Sequence, residues 1–151
     1  MIGLIQRVTS AKVEVEGATV GQISAGLLVL LGVQRSDGSR EADRLLERIL
    51  TYRIFDDEQQ RMNRSLLDVG GELLVVSQFT LAADTHKGTR PGFSTAAPPE
   101  EGARWYDYFV GRARERIPRV ETGQFGANMA VHLVNSGPVT FWLEVTPEPN
   151  G

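Results

Sequence analysis

The sequence predicts one α+β or mixed α/β domain, and three observations carry that prediction. A chain of 151 residues with 41% hydrophobic and 23% charged residues has the size and composition of a single globular domain. Apolar residues alternate with polar ones near both ends, at Ala11, Val13 and Val15 and again at Val139, Phe141, Leu143 and Val145, the period of a half-exposed strand. Between them, two stretches switch to helical spacing.

In chain order, Gly17 permits a turn from the first alternating run into a strand over Thr19–Ile23. Gly26 precedes Leu27–Val33, an apolar run that reads as a buried strand. Over Ser39–Tyr52, Ala42, Leu45, Leu46, Ile49 and Leu50 form one helical stripe, with Ser39 as the expected N-cap. Asp56–Arg61 reads as a polar loop, and Leu73–Val76 as a strand buried on both faces. Ala82–Pro98, rich in Gly, Pro and Thr, is expected to be a long ordered loop. A second helix starts at Pro99, with Glu100 and Glu101 at its positive end. Its inner stripe is Ala103, Tyr106, Val110, Ala113 and Ile117, and Pro118 ends it. Two more strands follow, Val131–Val134 and the alternating run from Val139. Residues 1–147 form the domain, and 148–151 are a short tail expected to fray.

The bulk numbers narrow the function. No cysteine is present, which removes disulfides and thiolate zinc sites and fits a reducing, cytoplasmic setting. The start of the chain has no signal-peptide pattern, and Leu27–Leu31 is too short to cross a bilayer. A net charge of −3 argues against coating a nucleic-acid backbone but allows a grip on one RNA end. Arg112, Arg114, Arg116 and Arg119 read first as a solvated helix face.

Two charge-poor segments stand out: Ser77-Gln78-Phe79-Thr80-Leu81 and Asn135-Ser136-Gly137-Pro138-Val139-Thr140. Each joins an apolar run to hydroxyls, amides or a Gly-Pro pair, which core packing does not require. The bland alternatives are an exposed strand end whose Phe79 faces the core, and a plain turn at Gly137-Pro138. Sequence alone predicts a trans Gly-Pro bond. Phe125 and Met129 read equally as core residues. His86 sits in a loop and His132 in a strand, and no Ser-His-Asp, HExxH or CxxC pattern accompanies them, so no triad, metal or cofactor is indicated.

With Gln6-Arg7-Val8, Arg53-Ile54-Phe55, Met62-Asn63, Arg90-Pro91, Thr122-Gly123 and Phe125-Gly126-Ala127, the two segments resemble the D-aminoacyl-tRNA deacylases over nearly the whole chain. The resemblance implies that family's fold, a single domain of antiparallel-rich β-sheet with two main helices. It implies hydrolysis of D-aminoacyl esters, and of glycyl esters, at the 3′ end of tRNA, by a homodimer without cofactor. The N–H groups of Phe79 and Thr80, with the Gln78 amide, would then hold the oxyanion, and the terminal 2′-hydroxyl of the RNA would assist water. Gly137-Pro138, cis in that family and buttressed by Arg7, would exclude L side chains in the partner's site. Ser77, Lys87, Arg90, Phe125, Gly126, Ala127, Met129 and Asn135 would bind substrate, the adenosine lying against Phe125 to Met129. The chain departs from the family at Gly92, where serine is usual. Asn128 and Ser136 stand in place of acidic residues, and Gln60-Arg61 in place of Gly-Lys. The rivals are a related deacylase with relaxed chirality, a non-catalytic module for RNA ends, and a small-molecule esterase lacking a nucleophile–base pair.

Overall fold

A computed structural model of the chain describes residues 1–148. The chain runs through β1 (Ile2–Val15), β2 (Ala18–Ile23), β3 (Gly26–Gly32), α1 (Ser39–Thr51), β4 (Phe55–Asp56), β5 (Met62–Arg64), α2 (Leu66–Val69), β6 (Glu72–Ser77), α3 (Pro99–Arg116), β7 (Val120–Thr122) and β8 (Ala130–Glu144). The main sheet is ordered β2-β1-β3-β6-β7, with β8 on the free edge of β1. Every pair involving β1 is antiparallel, whereas β3, β6 and β7 run parallel to one another.

Strand alternation divides the core in two. Leu27, Val29, Leu31, Leu73 and Val75 face α1 and α3 and meet Leu45, Ile49 and Phe109. Leu28, Leu74 and Val76, one residue out of phase, meet Val8, Val13 and Ile23 inside the curl of the sheet. The curl brings β2 back towards β7. A Cβ at Gly21 would lie 2.1 Å from the Thr122 carbonyl oxygen, so only a glycine fits there.

Several expectations change in detail. Ser39 is the first helical residue rather than the cap; Gly38 is the cap, and its N–H donates to Glu41 Oε1 at 2.9 Å. On α3, Phe109 is fully buried and Ala103 only half-buried, because that face meets both α1 and the sheet. The polar stretch at 56–61 is the turn of the β4–β5 hairpin. Asp57 accepts N–H groups from Gln59 and Arg61 and the Asn63 amide there, and these bonds hold its carboxyl below its ordinary range. The last two expected strands are one, β8, because pairing with β1 resumes beyond an interruption at 136–139. Glu148 pairs with Arg40 at 2.6 Å; the rest of the expected tail, 149–151, lies outside the described residues.

The buried Met1 ammonium ties three segments together, donating to Asp37 Oδ1 at 2.9 Å and to the Val145 carbonyl at 2.6 Å. Burial pushes the Asp37 carboxyl up, opposed by its bonds to that ammonium and to the Gln34 N–H.

The same substitution should have opposite signs at two glycines. Gly21→Ala must part β2 from β7 and should destabilise by about 3 kcal/mol. Gly111→Ala, on α3 with open space around its Cβ, should stabilise by roughly 1 kcal/mol. Chemical denaturation of the two variants checks both.

Candidate active site

The carboxyl ends of the three parallel strands open into one cleft of about 720 Å³. The chain beyond β3 contributes Val33 and Arg35, the end of β6 contributes Ser77, Gln78 and Phe79, and the segment after β7 contributes Phe125 to Met129. Strands that run the same way end on the same side, where backbone groups leave the ladder and become free for a ligand.

At the end of β6, the Gln78 N–H still donates to the Leu31 carbonyl, at 2.8 Å. The chain then coils into a 3₁₀ turn over Phe79–Ala82, whose first internal bond is Leu81 N–H to the Gln78 carbonyl. The N–H groups of Phe79 and Thr80 therefore precede the turn's own bonds, and among the described residues neither has a protein acceptor. Gln78 Nε2 donates to Thr80 Oγ1 at 2.5 Å, so the amide is partly committed to the threonine. Phe79 does not face the core. The residue is 62% exposed and its ring stands 5.3 Å from that of Phe93.

Across the cleft, Phe125 packs 5.9 Å from Tyr106, centroid to centroid. Gly126 supplies the positive φ of 78° at the tip of this turn, closed by Ala127 N–H to the Gln124 carbonyl. Met129 accepts the Gln124 N–H on its sulfur at 3.4 Å. Tyr106 donates to the Val75 carbonyl at 2.7 Å, and burial pushes its hydroxyl up to about 12. It is a fixed neutral wall, not a base. His86 is bound to Asp84, and His132 faces Glu14; neither lines the cleft.

The second segment lies elsewhere. Gln6 pairs with Thr140 and Val8 with Asn135, so Arg7 alone spans the gap that residues 136–139 occupy on β8. Those four residues are pushed out as a bulge. Arg7 holds it, donating from Nε to the Ser136 carbonyl at 3.0 Å and from a terminal nitrogen to the Ile54 carbonyl at 2.9 Å. Asn135 closes the base, accepting the Val139 N–H at 2.7 Å and donating to Thr140 Oγ1 at 2.9 Å. The Gly137-Pro138 bond is cis, which corrects the trans form expected from base frequencies alone. At Gly137 φ is 131°, and a Cβ would sit 2.7 Å from a Val139 methyl. Gly137 and Pro138 are exposed and do not line this chain's cleft.

Of the residues singled out from sequence, Ser77, Gln78, Phe79, Phe125, Gly126, Ala127 and Met129 line the cleft, with Thr80 one residue beyond. Lys87 and Arg90 are exposed on the 83–98 loop and do not line it. Asn135 bonds within its own bulge. Among the clustered arginines, Arg112, Arg116 and Arg119 pair with carboxylates, and Arg114 reaches the Val120 carbonyl. Arg35, Phe93 and Gly102 line the cleft without having been singled out. Only their place after a strand, in the loop or on the helix puts them there, and no local motif marks it.

The model of the D-Tyr-tRNA(Tyr) deacylase family matches residues 4–144. The chain is 62% identical to the D-aminoacyl-tRNA deacylase of Stutzerimonas stutzeri, over 95% of this chain and 99% of that one. It is 61% identical to that of Serratia proteamaculans, over 96% and 100%. Among solved structures, it superposes on a c-Myc DNA unwinding element binding protein with a TM-score of 0.93 at 39% identity, covering 97% and 100%. A probable eukaryotic D-amino acid tRNA deacylase shares the fold, with a TM-score of 0.76 at 18% identity over 95% and 98%. The cleft at the ends of β3, β6 and β7 and the bulge on β8 are thus features of a chain that belongs to the D-aminoacyl-tRNA deacylase family.

Proposed function

We propose that this chain hydrolyses the ester of D-aminoacyl-tRNA to free D-amino acid and tRNA, in the cytoplasm, as a homodimer. The observation that carries the reading is the pair of unpartnered N–H groups at Phe79 and Thr80, set at the rim of an apolar, aromatic-walled cleft. A developing oxyanion there would gain about 2.7–4 kcal/mol from each donor. Phe125 and Met129 offer a stacking surface for the terminal adenosine. No histidine reaches the cleft, which favours water assisted by the RNA's own 2′-hydroxyl over a covalent threonine.

In this reading the bulge selects chirality from across the dimer. Its carbonyls face the substrate's amino group and occupy the space an L side chain needs, so D esters and the glycyl ester are cleaved. One feature supports delivery by a second copy: the bulge is exposed and does not line its own chain's cleft.

Release of D-tyrosine and L-tyrosine from the same tRNA at trace protein tests the function. The expected result is many turnovers on the D ester with the L ester intact. Loss of both esters would keep the hydrolase and remove the filter. Survival of both, with folded dimeric protein, would favour a module that only binds RNA ends.

Side-chain variants test the mechanism. Thr80→Ala should lower kcat less than about 100-fold, against the roughly 10⁶-fold loss on removing a true nucleophile. His86→Ala and His132→Ala should each leave kcat within about twofold of wild type, since a general base contributes roughly 10²–10⁴-fold. Single-turnover rates at saturating protein make the comparison.

A further inference from the structure

We propose that Arg35 holds the phosphodiester immediately upstream of the esterified nucleotide, as a positioning residue; the proposal rests on the deacylase reading. Among the described residues that line the cleft, Arg35 has the single charged side chain. Everything else there is apolar, aromatic or neutral. That lining suits a base and an ester, but a nucleotide at an RNA 3′ end also brings a phosphate. A phosphate beside an apolar cleft needs a cation, and a guanidinium fork matches its oxygens two at a time.

The geometry presents Arg35 for that task. Its backbone N–H donates to the Thr95 carbonyl at 3.0 Å, and its Nε donates to the Ser94 carbonyl at 2.5 Å. Two bonds therefore fix the residue against the 83–98 loop, while among the described residues its terminal nitrogens have no protein acceptor. Among the described residues it has no carboxylate partner, in contrast to Arg40, Arg64, Arg112, Arg116 and Arg119, which each pair with at least one. An exposed cation without an acid neighbour, tethered at the edge of a cleft, is free to take an anion from outside.

A rival role is open to the same bonds: Arg35 could only hold the loop that carries Phe93. The two roles separate by substrate. D-tyrosyl-tRNA carries the upstream phosphate, and the 3′-O-D-tyrosyl ester of adenosine does not. Arg35→Ala should raise KM for D-tyrosyl-tRNA about tenfold at low salt and leave kcat unchanged. It should also make the dependence of log KM on log salt shallower by about 0.7, one single-strand phosphate contact. Hydrolysis of the adenosine ester should be unaffected, and Arg35→Lys should recover part of the lost affinity. Equal losses on both substrates would overturn the proposal in favour of loop support, and an unchanged KM and salt slope would overturn it outright. Wild-type protein inactive on D-tyrosyl-tRNA would instead overturn the deacylase reading beneath it.

Discussion

The cleft exists because β3, β6 and β7 run parallel and end on the same side of the sheet. Parallel pairing fixes where each chain leaves the ladder: Leu31 opposite Ser77 and Val75 opposite Thr122. Two to four residues beyond, the three exits supply Arg35, the Phe79–Thr80 amides at the rim, and the Phe125–Met129 turn. Their convergence follows from the sheet topology alone. The buried alternation of Leu27–Leu31 and Leu73–Val76 between two cores holds this register, since a slip of one residue would exchange the faces of each strand.

The second device depends on a mismatch in the opposite half of the sheet. β1 and β8 pair from Ile2 to Glu14, with a one-residue slip at Thr9 and a larger gap where Arg7 alone faces residues 136–139. Arg7 fills that gap with a guanidinium instead of a ladder bond, and Asn135 stands in for the missing backbone partners at its base. Arg7 and Asn135 thus bond the two ends of the bulge, at the Ser136 carbonyl and the Val139 N–H. In the proposed reading, that anchoring is what holds the steric filter in place.

Much of the site could be read from the chain because its chemistry is local. Ser77–Thr80 is a strand end followed by residues that do not belong in a core, and Phe125-Gly126-Ala127 is a turn that glycine makes possible. Asn135–Thr140 announced an irregularity, but base frequencies pointed to a trans proline and the apolar pattern to two strands, because the sequence does not display what β1 offers across the gap. Arg35 and Gly102 were silent for a related reason. An arginine after a strand and a glycine in a helix are common, and their place in the cleft comes from the meeting of β3, the 83–98 loop and α3. The same holds for Arg112, Arg116 and Arg119, whose carboxylate partners on α1, β6 and β7 settle them as a paired surface.

In the proposed mechanism this chain is a scaffold that fixes an ester and lends it two backbone donors, while the RNA supplies the group that activates water. Comparing single-turnover hydrolysis of D-tyrosyl esters on tRNA ending in adenosine or in 2′-deoxyadenosine tests that claim most directly. The rate should fall by at least about 100-fold without the 2′-hydroxyl, the lower end of what a positioned acid–base group contributes. Equal rates on the two substrates would contradict it and return the search to a base within the protein.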